Sequence, residues 1–277
     1  MGIKFFGHYL LDENKLSNEQ LTEAIDYQSA NNLSLGELGV RENLITKKEA
    51  EKINDKQRSL DKRFGEVAIS LELLSDPQIM DLLAIQKKEK IFFGEILILK
   101  KFMSEEALHV ELKNFEKQQN IEVVELDDKI KAIDKDGIIK SALEIFQTLY
   151  LRVVHDHIKL ARVNDTLKSS QSIIALQKMR GDMHLDFAIA PEDKVSLDIS
   201  SKFLKMEVDE VDEMVMDVIT EFTNVVLGNI AVKFAIGGIT LDLTPPVLVE
   251  LSEFNNSDFY YFDFVTTHGN LTLCLKI

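Results

Sequence analysis

Over the first 118 residues, apolar and polar positions return in a fixed order. Gly7, Gly36, Gly65 and Gly94 recur every 29 residues, in FFGHYLLDENKLSNEQLTEAIDYQ, SLGELGVRENLITKKEAEKINDKQ, RFGEVAISLELLSDPQIMDLLAIQ and FFGEILILKKFMSEEALHVELKNF. Gln28, Gln57 and Gln86 each fall 21 residues after their glycine, and Phe115 takes that place in the fourth copy. A period of this length marks stacked supersecondary units, each too small to bury its own apolar stripe. Every copy predicts a short helix, a turn and a longer helix. Ser17, Thr46, Ser75 and Ser104 are the predicted N-caps; Thr46 with Glu49 has the full capping box, while Ser104 with Ala107 does not.

The pattern then changes. The stretch 119–135 is polar, weakly periodic and free of Pro and Gly, and reads as a connection. Helical periodicity returns at Ile138 to Val154, followed by strand patterns at His157 to Val163 and Gln171 to Lys178. Met179 to Asp182 reads as a hairpin turn ahead of the alternating HLDFAIA, and a helix is predicted from Pro191 to about Lys205. A further helix runs over Asp209 to Ile230, and three strands close the chain: ITLDLTPPVLVEL, FYYFDFVTT and NLTLCLKI. The fold class is therefore α+β: an all-α array of four 29-residue repeats over 1–118, a linker over 119–135, and a layered domain with a mostly antiparallel sheet over 136–277.

Charge and composition narrow the function. A net charge of −15 argues against nucleic acid or an anionic membrane surface as partner, since both need a basic footprint. The one cysteine, Cys274, excludes an internal disulfide and fits a reducing, cytoplasmic setting. No uninterrupted apolar run approaches ~20 residues, so no membrane span is expected. His155-Asp156-His157 pairs two imidazoles without a nearby third ligand, and His184 and His268 have no visible partner; no metal site is expected.

The helix over Asp209 to Ile230 carries the candidate chemistry. At about 100° per residue, Asp217, Glu221, Asn224 and Gly228 fall in one stripe beside an apolar face of Val211, Val215, Val218, Phe222, Val225 and Val226. A Glu and an Asn three residues apart are most often a solvated face. Here they are followed by Gly228-Asn229 and then Thr244-Pro245-Pro246. This E-x-x-N…G-N…T-P-P order resembles the CheC/CheX/FliY family of chemotaxis phosphatases, over about Asp134 to Ile277, with Thr220 standing where that family usually has Gly. The resemblance implies a CheX-like domain that acts on a phosphorylated CheY-type response-regulator receiver. Glu221 would pair with the receiver's lysine and Asn224 would orient the attacking water, with Asp217 and Gly228 on the docking surface. The required Mg²⁺ would belong to the receiver, so no cofactor of its own is implied. Similar proteins with one such motif pair through their sheets, which implies a homodimer.

The repeats resemble the MshEN domain found at the N-terminus of type II secretion and type IV pilus assembly ATPases, where two tandem copies of a 24-residue motif form a site for cyclic di-GMP. Four copies imply two such units, 1–60 and 61–118, with Arg63, Gly65, Gln86 and Gly94 as the nucleotide-site residues. The family motif's opening Arg is matched only by Arg63, with Phe5, Ser34 and Phe92 elsewhere, and its middle Gly is replaced by Asn14, Asn43, Glu72 and Lys101. A missing guanidinium removes paired hydrogen bonds to guanine or phosphate, so weak or absent nucleotide binding is expected. No G-x-x-x-x-G-K-[ST] occurs, which excludes a P-loop motor. Three readings follow: a receiver phosphatase regulated or localised by its repeats; a non-catalytic adaptor for a receiver or a pilus, flagellar or secretion component; and a cyclic di-GMP sensor whose CheX-like domain is the output.

Overall fold

The structure, a computed structural model, describes residues 2–58, 62–134, 136–167, 171–254 and 258–277. The chain divides into two compact units, one of Lys4–Asn120 and one of Ile121–Ile277 with Met1–Ile3.

The first unit is helical. Its short helices are α1 (Phe6–Asp12), α3 (Leu35–Arg41), α5 (Phe64–Ser70) and α7 (Phe93–Leu99), alternating with the longer α2 (Asn18–Asn31), α4 (Lys47–Arg58), α6 (Asp76–Glu89) and α8 (Glu105–Ile133). Each short helix ends the same way. The carbonyl of Leu10 receives the N–H groups of Lys15 and Leu16, and the carbonyls of Gly39, Ala68 and Leu97 repeat this with Leu44 and Ile45, Leu73 and Leu74, and Phe102 and Met103. Closing the turn requires one left-handed residue, and Asn14, Asn43, Glu72 and Lys101 take it with φ of 55°, 57°, 57° and 60°. The turn geometry is thus kept without glycine. Three predicted caps form, the Ser17 hydroxyl accepting from the Gln20 N–H at 3.2 Å, Thr46 from Glu49 at 3.3 Å and Ser104 from Ala107 at 3.2 Å, while Ser75 instead donates its N–H and hydroxyl to the Gln78 side chain.

The repeating glycines have a packing cause. A Cβ on Gly7, Gly65 or Gly94 would meet Leu21 at 2.6 Å, Ile79 at 3.0 Å or Leu108 at 3.1 Å, each on the following long helix. The buried cores pair the two inner copies with each other and the first copy with the last. Leu38, Ile45 and Ile53 of the second copy pack with Val67, Leu74 and Leu82 of the third, whereas Leu10, Leu16 and Ala24 of the first pack with Ile96, Leu97 and Leu108 of the fourth. The repeated glutamines tie the same pairs: Gln28 donates to the Ile91 carbonyl at 3.2 Å and Gln86 to the Leu33 carbonyl at 3.0 Å. The expected boundary between 1–60 and 61–118 falls outside the described residues. The stretch 119–135, expected as a connection, is helical through Ile133 as the second half of α8, and Lys135 lies outside the described residues.

The second unit layers helices on an antiparallel sheet. After α9 (Ile138–Val154) come β1 (Lys159–Asn164), β2 (Ala175–Gly181), β3 (Leu185–Pro191), α10 (Asp193–Leu204), α11 (Glu213–Ile236), β4 (Leu241–Leu243), β5 (Val247–Leu248), α12 (Leu251–Phe254), β6 (Tyr260–Val265) and β7 (Asn270–Lys276). The strand order is β1-β6-β7-β3-β2-β4, with β5 also paired to β2. One sheet face, with Leu185, Phe187, Ile189, Phe262, Phe264, Leu273 and Leu275, buries against α9, α10 and α11; the other packs Ala188, Tyr261 and Cys274 with Phe254.

Several boundaries move from expectation. Met179, Arg180 and Gly181 extend β2 instead of turning, because Gly181 (φ 139°) lets β4 approach; a Cβ there would sit 2.3 Å from the Thr240 carbonyl oxygen. The expected single strand through Thr244 breaks into β4 and β5, since Pro245 and Pro246 carry no N–H for the ladder. The central helix starts at Glu213 rather than Asp209, with the Asp212 carboxylate accepting from the Val215 N–H at 3.0 Å as its cap. Among the described residues, α11 alone is long and apolar enough to cross a membrane by length and composition; Val215, Val218, Ile219, Phe222, Val226, Leu227 and Ile230 lie in the core of this unit, while Val232 and Ile236 are exposed.

Candidate functional site

The site is a ledge on α11. Val215, Val218, Ile219, Phe222, Val226, Leu227 and Ile230 are buried under the helix, and this fixes its rotation. Asp217 and Glu221 are therefore exposed, while Asn224 and Gly228 lie half-buried at the margin, one helical turn apart. The Asn224 Nδ2 donates to Glu221 Oε2 at 3.4 Å. A Cβ on Gly228 would meet nothing within 4 Å, so no contact among the described residues requires glycine there. Thr220, at the position where a glycine was expected, turns its hydroxyl back onto the Met216 carbonyl at 2.7 Å.

One residue absent from the sequence reading holds this arrangement. Gln177 of β2 shares a sheet face with the buried Ala175 and Met179 and is 1% exposed. Its Nε2 donates both to Asn224 Oδ1 at 2.8 Å and to the Thr244 carbonyl at 2.9 Å. Thr244 is held in turn: its N–H donates to the Lys178 carbonyl at 2.9 Å and its hydroxyl accepts from the Lys178 N–H at 3.2 Å. The hydroxyl replaces a ladder partner just where the two prolines interrupt the strand. Together these contacts set the Asn224 carboxamide with Oδ1 inward and Nδ2 toward Glu221, and leave one N–H and one lone pair uncommitted by those three bonds. The signal for Gln177 was present, a polar residue in the apolar phase of an alternating strand.

The other candidate residues are engaged elsewhere. Gly65 and Gly94 lie against Ile79 and Leu108, Gln86 ties copies three and two together, and Arg63 is exposed at the head of α5, its backbone N–H donating to Glu66 at 2.6 Å. Packing accounts for the two glycines and the glutamine. Cys274 is fully buried, and burial pushes its thiol well above the ordinary range, with Asp263 adding in the same direction, which leaves it unreactive.

The geometry defines a polar ledge on an amphipathic helix over an antiparallel sheet, open to a macromolecular partner. Residues 173–264, which hold Gln177, Glu221, Asn224, Gly228 and Thr244, match the family model of the chemotaxis phosphatase CheX. No curated protein matches the chain. Among solved structures, the chain is similar to chemotaxis protein CheX from Vibrio vulnificus (17% identity, TM-score 0.43, covering 50% of this chain and 97% of that one). It is also similar to a CheC-like superfamily protein from Shewanella sp. PV-4 (21%, 0.44, 51% and 99%). A third is the CheX-CheY-BeF3-Mg²⁺ complex from Borrelia burgdorferi (19%, 0.44, 50% and 96%).

Proposed function

We propose that the C-terminal unit docks on a phosphorylated CheY-type receiver and hydrolyses its aspartyl phosphate. The observation that carries this reading is the Gln177–Asn224–Glu221 chain beside the open Gly228, within the segment that matches the chemotaxis phosphatase model. The acyl phosphate's charge is met by the receiver's own Mg²⁺ and lysine, so the partner's task is to place water in line. The water oxygen bonds to phosphorus as the acyl P–O bond breaks, giving inorganic phosphate and a free carboxylate. The Asn224 carboxamide orients that water without taking its proton, and Glu221 pairs with the receiver's lysine. An exposed ion pair contributes only ~0–1 kcal/mol, so Glu221 acts mainly in docking. The helical repeats over 1–118 regulate or localise this activity, and the reading places the protein in the cytoplasm with its receiver.

The test is phosphate release from a phosphorylated receiver of the same organism, with the full chain. Asn224→Ala should lose ~100-fold in turnover (~2.7 kcal/mol) while still folding and binding the receiver. Glu221→Ala should weaken binding more than turnover. Gln177→Leu removes the tether and leaves two acceptors without that donor, so turnover of the folded protein should fall alongside a stability loss of about 1–3 kcal/mol, while receiver binding holds. If wild type accelerates release from no receiver, or Asn224→Ala remains fully active, the phosphatase reading fails and the adaptor reading replaces it.

A further inference from the structure

A second cluster, using no residue of α11, β2 or β4, gathers where the β6–β7 turn meets α9 and α10. Asp156 follows α9, Asp198 lies on α10 and His268 in the turn, and one ligand atom from each lies within 4.8 Å of the others. His268 Nε2 is 3.9 Å from Asp198 Oδ1. The Asp156 carboxylate is oriented by the Thr267 hydroxyl at 2.8 Å, the Thr267 N–H at 3.3 Å and the His157 N–H at 2.7 Å. The Asp198 Oδ2 oxygen beside these groups is buried and accepts no hydrogen bond among the described residues.

We infer that Asp156, Asp198 and His268 form a binding site for one divalent transition-metal ion of the zinc or manganese type. Two carboxylates held this close repel each other, and the opposing charge on Asp198 comes from the half-exposed His268 and, more weakly, from Lys202. A buried carboxylate oxygen without a donor, as Asp198 Oδ2 is, is costly, and a bound cation removes that cost. A donor set of two carboxylates and an imidazole suits zinc or manganese; an all-oxygen set would suit calcium, and thiolates would suit copper(I). The hydrogen bonds to Asp156 from Thr267 and His157 supply the outer shell that orients such a ligand. Ligands about 2.1 Å from a tetrahedral zinc lie roughly 3.4 Å apart, so side-chain rotation must close the cluster by about 1 Å. The bound ion would staple α9, α10 and the β6–β7 turn.

The experiment is titration of the chelator-stripped full chain with Zn²⁺ against a zinc-binding chromophore, repeated with Mn²⁺ by electron paramagnetic resonance. Wild type should bind one Zn²⁺ per chain and show a raised thermal unfolding midpoint with the ion present. Asp198→Asn should weaken binding by more than about tenfold and abolish the shift. It should fold at least as well as wild type without metal, because the carboxamide relieves the repulsion. Should Asp198→Asn fail to fold, His268→Gln at the half-exposed ligand gives the same reading. His184→Gln, at an exposed histidine between β2 and β3 outside the cluster, should bind as wild type. Absence of stoichiometric binding, binding kept in Asp198→Asn or His268→Gln, or binding lost in His184→Gln would each overturn the inference.

Discussion

In the N-terminal unit the polar groups that open the helices are satisfied within a few residues: Ser17 with Gln20, Ser34 with Glu37, Thr46 with Glu49 and Ser75 with Gln78. In the C-terminal unit they reach far along the chain. Gln177 meets Asn224 and Thr244, 47 and 67 residues away, and Asp263 takes hydrogen bonds from Arg162 and Asn164, 101 and 99 residues away. Glycine divides the same way. In the repeats a glycine makes room for the end of a flexible side chain, whereas Gly181 makes room for backbone. Local satisfaction yields a scaffold that can be copied four times, and long-range satisfaction yields one site that cannot.

The largest expected effect tests that contrast in glycine. Gly181→Ala places a Cβ 2.3 Å from the Thr240 carbonyl oxygen and strains a residue at φ 139°, so chemical denaturation should show a loss of ~3 kcal/mol. Gly65→Ala meets the methyl of Ile79 at 3.0 Å, and the gain in helix propensity offsets the crowding to within ~1 kcal/mol. Equal losses at the two positions would erase the distinction.

How much could be read from the sequence follows from the same contrast. The repeat, its caps and its turns were legible because each copy states them again over a few residues. The pairing of copy two with three and one with four was not, since Gln28 and Gln86 hold the same place in their copies and only tertiary packing decides which carbonyl each meets. On α11 the Glu221–Asn224–Gly228 stripe was legible from helical spacing alone, but the helix start was misplaced because Asp209, Glu210 and Asp212 all suit a first turn and only Asp212 caps it. Gln177 went unread although its phase in β2 gave it away; its partner lies on a helix that no local pattern connects to it. Similarly, His268 seemed alone until the β6–β7 turn brought it to Asp198.

Next in size are the left-handed turn residues. Glu72 and Lys101 hold φ of 57° and 60°, a conformation costing an L-residue roughly 1–2 kcal/mol. Glu72→Gly should raise stability by about 1 kcal/mol, after the greater entropy of glycine in the unfolded chain is deducted. Asn14→Gly, where φ is 55°, should gain less, because asparagine tolerates this region. A loss on Glu72→Gly would mean that its side chain does more for the turn than its backbone costs.

A pH effect separates a long-range ionisable cluster of the repeat unit from the local caps. Glu111 accepts from Lys15 at 2.9 Å and from the Tyr9 hydroxyl at 3.0 Å. Lys15, then Tyr9, hold its carboxyl below the ordinary value against the opposing effect of burial, and burial followed by Glu111 raises Tyr9 to about 12. A depressed carboxyl stabilises above its unfolded pKa of about 4.3 and loses that contribution as pH falls through the folded value. The raised tyrosine stabilises below about 10 and loses its contribution as pH climbs toward 12. The difference in unfolding midpoint between wild type and Glu111→Gln should therefore be full at neutral pH and shrink below about pH 4. A difference independent of pH would assign the effect to packing.

The smallest expected change in stability is the most informative about the ledge. Gly228 lies inside α11, where glycine is about 0.8–1 kcal/mol less favourable than alanine, and an added Cβ there has no neighbour within 4 Å. Within the chain, then, Gly228→Ala should only help, raising stability by about 0.5–1 kcal/mol. If a receiver approaches α11 closely beside Asn224, that same methyl stands between the two backbones, and association should weaken although the protein itself is more stable. Opposite signs for stability and receiver affinity, measured by denaturation and by calorimetry with a phosphorylated receiver or its beryllofluoride form, are the signature of a residue kept for a partner. The repeat glycines carry the reverse expectation, because what they make room for is already inside the chain. A Gly228→Ala protein that is stabilised and binds as wild type would move the docking surface off this ledge, while leaving the water-positioning role of Asn224 to be judged by turnover alone.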